Sequence, residues 1–376
     1  MKVLVFVRED ALIRQGGDFL SISDKEKKLN DLGIFLTFSS NPKISLIDFD
    51  LIHIHQSISN IFNIFSIYKN IRKHRKPFSI KPFYNPIIDI DNYRKNTDDF
   101  KIRLLSRIFN YYSYIKYKNL YNLLKKLRLI TFFKSFFLSP KYLTKIILKK
   151  SYCITDSKFE LQKLSSELNV DLNNSKAVNV SLNLTDDQKK VSKNFFYNKY
   201  KLENFVLCVG RIEPLKNQNR LLMSLIKANF KVLVIGKLQK LHKNYGISFK
   251  KLIKENRNFY WIEDMDRKTL CSAFKNAKVL TIPSWTETAG MTALEGAYFG
   301  CNLALTNRGA CKEYFQNNAL YMNPNSIKSI RECIIKSYNL PKNAKKLRNY
   351  VQEKFSLNKT AIELSKAFND TLNNTN

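Results

Sequence analysis

Phe205-Val206-Leu207-Cys208-Val209-Gly210-Arg211-Ile212-Glu213-Pro214-Leu215-Lys216-Asn217-Gln218 runs from an apolar, β-rich stretch into a glycine, a loop with two cations, and the first residue of a helical pattern over 218–227. A strand that stops at a glycine and hands over to a helix is the repeating unit of an open α/β sheet. In such sheets ligands bind at the carboxyl ends of the strands, where this turn lies. Arg211 and Lys216, two cations beside a helix N-terminus, suit a diphosphate. A solvent-exposed loop in a lysine-rich chain would carry the same residues.

The alternation continues outward from this turn. Residues 231–235, 259–262, 278–282 and 302–306 read as further strands. Towards the N-terminus, residues 2–7, 34–38, 51–55, 77–80 and 152–157 read as strands too. Between them lie a loop over 14–18, helical segments over 20–32 and 59–74, and a basic helical region over 100–150. A polar stretch at 183–200, with Asp186-Asp187-Gln188-Lys189-Lys190, reads as the linker between two runs of the same pattern. The expectation is an α/β protein with two Rossmann-like, doubly wound domains facing a central cleft. The first domain is expected over 1–195, rejoined by a C-terminal helix over 358–376, and the second over 196–357.

A second constellation follows the strand at 278–282: Pro283-Ser284-Trp285-Thr286-Glu287-Thr288-Ala289-Gly290-Met291-Thr292-Ala293-Leu294-Glu295-Gly296-Ala297. A short loop carries Glu287, a helix starts near Gly290, and Glu295 lies one to two turns into it. The helix start offers free N–H groups at Ala289, Gly290 and Met291, and the two carboxylates suit hydroxyl groups. Helix-dipole preference alone would make Glu287 a cap and Glu295 a surface residue. A glycosidase-like acid pair is a further alternative. It is disfavoured because no aromatic sugar-binding cluster accompanies the pair and the neighbouring cationic turn asks for phosphate.

Together the two constellations resemble the retaining GT-B glycosyltransferases of the family 4 type. The matching residues are Gly210, Arg211, Lys216 and Asn217, then Glu287 and Glu295 seven residues further apart than neighbours, framed by Pro283-Ser284, Gly300, Asn307-Arg308-Gly309 and Glu313. In the N-terminal half Gly16-Gly17, Asp50-Leu51-Ile52-His53 and Thr155-Asp156-Ser157-Lys158-x-Glu160 match more loosely. The resemblance implies transfer of a sugar from a nucleoside-diphosphate sugar, UDP- or GDP-linked, without metal or cofactor. It implies Arg211 and Lys216 on the diphosphate, Glu295 on the ribose, Glu287 on the transferred sugar, and the amides of Ala289, Gly290 and Met291 supporting sugar and phosphate. Gly16 and Gly17 would let backbone approach the phosphate. The expected acceptor is a glycan or lipid-linked intermediate of cell-envelope polysaccharide or lipopolysaccharide synthesis.

Two departures stand out. Thr288-Ala289-Gly290 replaces the commoner Gly-Phe-Gly, which alters the sugar pocket. The strand Ser79-Ile80-Lys81 lacks the histidine that many members place at its end. His53 and His55 read as buried, hydrogen-bonded strand residues rather than catalysts, and Asp18 as an acceptor contact or a helix N-cap.

Composition sets the outer bounds. The 376 residues, 44% of them apolar, suffice for two cores and exclude disorder as the main state. Six cysteines without a Cys-x-x-Cys pair, and four histidines, give neither a zinc site nor a disulfide framework. The first ten residues meet charge too early for a signal peptide, and no apolar run reaches membrane-spanning length, the longest being 129–138. A cytoplasmic protein is therefore expected. Its net charge of +33 is uneven: residues 101–150 hold no acidic residue among many Lys and Arg interleaved with Tyr, Phe, Leu and Ile. Such a segment suits an anionic membrane face, a solvated helical surface with a core stripe, or a nucleic-acid patch. Nucleic acid is not the expected partner, since no recognised module surrounds the segment. A non-catalytic basic protein binding nucleic acid or anionic polymer is the rival reading of the whole chain.

Overall fold

The computed structural model of the chain describes residues 1–13, 16–125 and 138–374, with residues 122, 123 and 125 described by backbone alone. Arg14 and Gln15 of the expected glycine loop, the apolar run at 129–137, and Lys126, Arg128 and Lys134 of the basic segment lie outside the described residues. The chain divides into two compact units: Met1–Ile87, Ile108–Ser181 and Leu357–Asn376 form the first, Ile88–Arg107 and Leu182–Ser356 the second.

The first unit is built on a six-stranded, all-parallel sheet in the order β2-β1-β3-β4-β5-β6. The strands are β1 (Lys2–Phe6), β2 (Phe35–Ser39), β3 (Leu51–His55), β4 (Phe78–Lys81), β5 (Tyr152–Thr155) and β6 (Ser175–Ala177). Side chains alternate between two buried cores, as the twofold period of a strand requires. Leu4, Phe6, Ile52 and Ile54 join Ile64 and Ile67 of the helix Ile61–Lys73 and Ile147 of the helix Pro140–Lys149. On the other face Val3, Val5 and Leu51 join Leu29, Leu364, Ala367 and Phe368. The last three come from the C-terminal helix Leu357–Asn373, which thus completes the core of this unit.

The helix expected over 20–32 is two helices, Gly17–Ser23 and Glu26–Asp31. The break sits at Lys25, whose side chain turns inward. Its N–H goes to Ile22 O, and its buried ammonium donates to Ser21 O at 2.6 Å and Ser181 Oγ at 3.2 Å.

The second unit repeats the architecture with β7 (Val206–Val209), β8 (Val232–Ile235), β9 (Phe259–Ile262), β10 (Val279–Ile282), β11 (Asn302–Thr306) and β12 (Leu320–Met322). The sheet is all parallel, in the order β12-β11-β10-β7-β8-β9. Counted from β7 this is the Rossmann order 3-2-1-4-5-6, whose direction reverses between β7 and β10. The two strands that precede the sequence motifs therefore flank the topological switch point.

Two stretches differ from expectation. Residues 183–200 are no linker but two helices, Asp186–Lys190, opened by a Thr185/Gln188 capping box, and Asn194–Tyr200. Phe196 is fully buried, and Ser272 Oγ accepts its N–H at 2.9 Å. The acidic first turn that reads as a polar loop is the charge a helix N-terminus favours. Residues 88–107, counted above with the N-terminal domain, pack with the second unit instead. Two ion pairs, Asp89 to Arg308 and Asp98 to Arg220, both at 3.5 Å, and a hydrogen bond between Asp99 Oδ2 and His242 Nδ1 at 3.1 Å hold them there. Among the described residues no helix is long and apolar enough to cross a membrane.

Candidate active site

The turn after β7 tightens into a 3-10 helix, Pro214–Lys216, closed by Asn217 in the left-handed conformation. Asn217 is buried, and its Nδ2 donates to Pro283 O and Pro324 O, both at 3.0 Å. One side chain thus binds the exits of β10 and β12 to the exit of β7. Trp285 N donates to Leu215 O at 3.0 Å, and Gln218 Nε2 to Arg211 O at 2.8 Å, completing the stitching. These bonds replace the partners that irregular backbone would otherwise lack.

This scaffold brings Lys216 to Glu287. The ammonium donates to both carboxylate oxygens at 2.9 Å. Burial disfavours the Lys216 charge, but the Glu287 carboxylate outweighs burial and holds the lysine pKa above its ordinary value. Arg211 does not join them: its side chain is 64% exposed and pairs with Glu213 at 3.0 Å.

Glu287 is fixed from behind. Ala310 N donates to Glu287 O at 2.9 Å, and the backbone of Gly309 lies so close that a Cβ there would stand 2.0 Å from the same oxygen. With φ at +75°, only glycine sits at 309 without strain. The helix Met291–Tyr298 then begins at Gly290, also left-handed at φ +66°, with no side-chain cap. Its first N–H groups are consequently left for another acceptor. Ala289 is buried beside them.

Glu295, one turn further, is buried rather than on the surface. One of its oxygens pairs with Arg267 at the start of the helix Arg267–Asn276, and Oε2 is buried without a hydrogen-bond partner. An unsatisfied buried carboxylate oxygen costs stability unless a ligand donates to it. Gly210, Arg211, Lys216, Glu287, Ala289, Gly290, Met291 and Glu295 thus all lie in the two strand–loop–helix units at the switch point.

Gly16 and Gly17 belong to the first unit. A Cβ on Gly16 would meet Asp18 Oδ1 at 2.7 Å and Arg8 NH2 at 2.9 Å. Both atoms are ends of flexible side chains, those of the Arg8–Asp18 ion pair at 2.8 Å. Asp18 caps nothing: the helix Gly17–Ser23 has Gly16 at its N-cap and no side-chain cap bond.

His53 and His55 are buried in one chain of hydrogen bonds. His53 Nδ1 and Ser79 Oγ are 2.8 Å apart, His53 Nε2 and His55 Nδ1 3.1 Å, and His55 Nε2 and Asp18 O 2.8 Å. Burial, helped by the Lys81 charge, pushes His53 down to about 3, so the pair is neutral. At the end of β4 stands Lys81, buried and paired with Asp156 at 2.5 Å.

No group of three or more His, Cys, Asp or Glu side chains gathers among the described residues as a metal site requires. The chain does hold Asp-x-Asp triplets. Their carboxylates serve elsewhere: Asp50 accepts from Lys2 N, Asp91 pairs with Arg94, Asp264 with Lys237, and Asp266 caps the helix Arg267–Asn276. All six cysteines are buried and free.

Residues 190–354 match the family model described as glycosyl transferases group 1. The matched stretch lies within the second unit. No curated protein matches the sequence. Among solved structures the chain is similar to the sucrose-phosphate synthase of Thermosynechococcus elongatus, with TM-score 0.75, 12% identity and all of both chains covered. It is also similar to a glycosyltransferase from Rickettsia africae ESF-5, with TM-score 0.66, 17% identity and 99% of each chain covered. A third is Anabaena Alr3699/HepE in complex with UDP-glucose, with TM-score 0.68, 12% identity and coverage of 98% of this chain and 99% of that one. At such identities the likeness carries the fold, which is GT-B. Fold and family model together make the protein a glycosyltransferase.

Several residues of this glycosyltransferase escape motif reading. Arg267 pairs with Glu295 from the turn after β9, and its only sequence signal is its place just past the N-cap Asp266. Arg220 lays its guanidinium 5.2 Å from the Trp285 ring centre, beside the Glu287 loop. Glu213 lies within the quoted turn but gains meaning only as the partner of Arg211.

Proposed function

We propose that the enzyme moves a sugar from a nucleoside-diphosphate sugar to a glycan or lipid-linked acceptor in cell-envelope polysaccharide or lipopolysaccharide synthesis, at the inner face of the membrane, retaining anomeric configuration and needing no metal. The observation that carries this reading is the meeting of Lys216 with Glu287 at the switch point of the second sheet. Around them, the unpartnered Glu295 Oε2 and the uncapped helix start at Gly290 offer acceptor and donor groups of the kinds a ribose and a phosphorylated sugar need. A neighbour in fold, Anabaena Alr3699/HepE, is known in complex with UDP and glucose.

In this reading Glu295 Oε2 accepts from a ribose hydroxyl, Arg267 holding the other oxygen in place. Lys216 and Arg211 meet the diphosphate. As the bond from the anomeric carbon to the diphosphate oxygen breaks, negative charge grows on that oxygen, and the two cations stabilise it. Glu287 accepts from hydroxyls of the departing sugar, and the N–H groups at Ala289, Gly290 and Met291 support sugar and phosphate.

Calorimetry with UDP, GDP and their common sugar conjugates, in the presence of a chelator, tests the reading on wild type and on Arg211→Ala/Lys216→Ala. Tight binding of one nucleoside diphosphate, lost in the variant, is expected. Folded wild-type protein that binds none of them, or binds only when a divalent cation is added, would refute it. The anomeric configuration of the product, read by NMR, decides retention.

A further inference from the structure

The basic segment 101–150 carries far more positive charge than the donor chemistry uses, and the structure separates its parts. The helix Pro140–Lys149 is an ordinary amphipathic element: Leu143, Ile147 and Leu148 enter the core of the first unit while Lys141 and Lys149 face solvent. The helix Phe100–Ile108 is different. None of its residues is buried. Phe100, Leu104 and Ile108, at i, i+4 and i+8, are 63%, 45% and 67% exposed. Lys101, Arg103 and Arg107 stand around this apolar stripe and are exposed as well.

An amphipathic helix in a folded protein normally spends its apolar stripe on a core. A stripe left in water and rimmed by cations is the pattern of a helix that lies in a membrane interface. We propose that the helix Phe100–Ile108 docks on an anionic lipid bilayer, with Phe100, Leu104 and Ile108 in the headgroup–acyl boundary and Lys101, Arg103 and Arg107 on the lipid phosphates. Charge complementarity selects this occupant: residues 101–150 contain no acidic residue, so the surface has nothing to offer a basic partner. A polyanion such as RNA would satisfy the cations but leave the apolar stripe in water. The first unit adds a face of the same kind. In the helix Tyr111–Lys125, Tyr117, Tyr121 and Leu124 are exposed, and the two tyrosine rings stack at 6.3 Å. Tyrosine is a preferred side chain at headgroup depth.

The inference deepens the proposed envelope role and rests on it only for the choice of a bilayer. Its test is co-sedimentation of the full chain with vesicles of pure phosphatidylcholine, and with vesicles containing one quarter phosphatidylglycerol. At least tenfold stronger partitioning to the anionic vesicles is expected, weakening as salt screens the headgroups. Phe100→Ser/Leu104→Ser should lose partitioning roughly tenfold, because the apolar stripe is gone. Arg103→Gln/Arg107→Gln should lose it too, and with it part of the salt dependence. Since no residue of this helix is buried, both variants should melt like wild type and bind nucleoside diphosphate unchanged, so a failed donor reading would show separately. The proposal is overturned if the protein stays in the supernatant with anionic vesicles at low salt. It is equally overturned if the serine variant partitions like wild type, or if duplex RNA competes the protein off the vesicles through the same arginines.

Discussion

Lys216 and Glu287, 71 residues apart in the chain, hold each other through two 2.9 Å hydrogen bonds from one ammonium to both oxygens of one carboxylate. Each is the other's partner before any substrate arrives, so the charges are oriented but engaged. In the proposed reading a diphosphate draws Lys216 away from Glu287, and the sugar hydroxyls take up the carboxylate. Glu287→Gln should therefore leave binding of the nucleoside diphosphate alone intact or several-fold tighter, while turnover falls by roughly a hundredfold or more. Lys216→Ala should weaken both. Calorimetry beside a transfer assay reads the two effects, and loss of nucleotide binding in Glu287→Gln would show that the two residues do not have separate roles.

Asn217 should matter through stability. Replacement by alanine removes two buried hydrogen bonds and puts a strained residue at φ +63°. The expected cost is about 3 kcal/mol, roughly one for each bond and one for the backbone. Asn217→Gly keeps the backbone relaxed and should cost about a kilocalorie less. Urea unfolding monitored on the second unit distinguishes them, and equal costs would mean that the left-handed turn contributes nothing.

Asp89 is buried and pairs with Arg308, which precedes the Gly309 that presses on Glu287. Asp89→Ala should leave an under-satisfied arginine and cost about 1–3 kcal/mol, discounted towards the lower end because Arg308 is partly exposed. Amide exchange should quicken over 88–107 and 307–310 while β7, β8 and β10 keep their protection. Uniform loosening of the whole unit would contradict a local tie.

His53 gives a pH signature. Its pKa is lowered to about 3 in the fold, so the unfolded chain binds more protons between that value and its ordinary 6.5. Stability is then fully present above about 6.5 and is lost as pH falls towards 3. His53→Asn, which cannot charge, should flatten the fall in melting temperature between pH 6.5 and 4 relative to wild type. Parallel curves would mean that the pair is not held neutral.

How far the sequence could be read follows from what each feature depends on. Both motif loops, the strands that precede them and the doubly wound class were legible because a parallel strand buried on both faces writes a continuous apolar run. β6 and β12, three residues each, write no such run. The capped helix at Asp186–Lys190 looked like a linker because the residues that stabilise a helix start are those of turns. The placement of residues 88–107 was illegible for a stronger reason. It depends on Arg220, His242 and Arg308, more than a hundred residues away, and no local pattern announces a distant side-chain contact. The burial and pairing of Glu295 likewise waited on Arg267.

The chain passes between its two units four times, at 87/88, 107/108, 181/182 and 356/357. Neither half is therefore a contiguous gene fragment. A protein cut after residue 195 would lack Leu364, Ala367 and Phe368 from one face of its sheet and would carry the segment 88–107 without the three side chains that receive it. A fragment starting at 196 would in turn lack that segment. Expression as two separate pieces should give aggregation, and co-expression should restore a soluble, nicked enzyme. A designer wishing to graft the second unit onto another chain's first unit must thus transplant a small internal loop of helices along with it, rather than splice once.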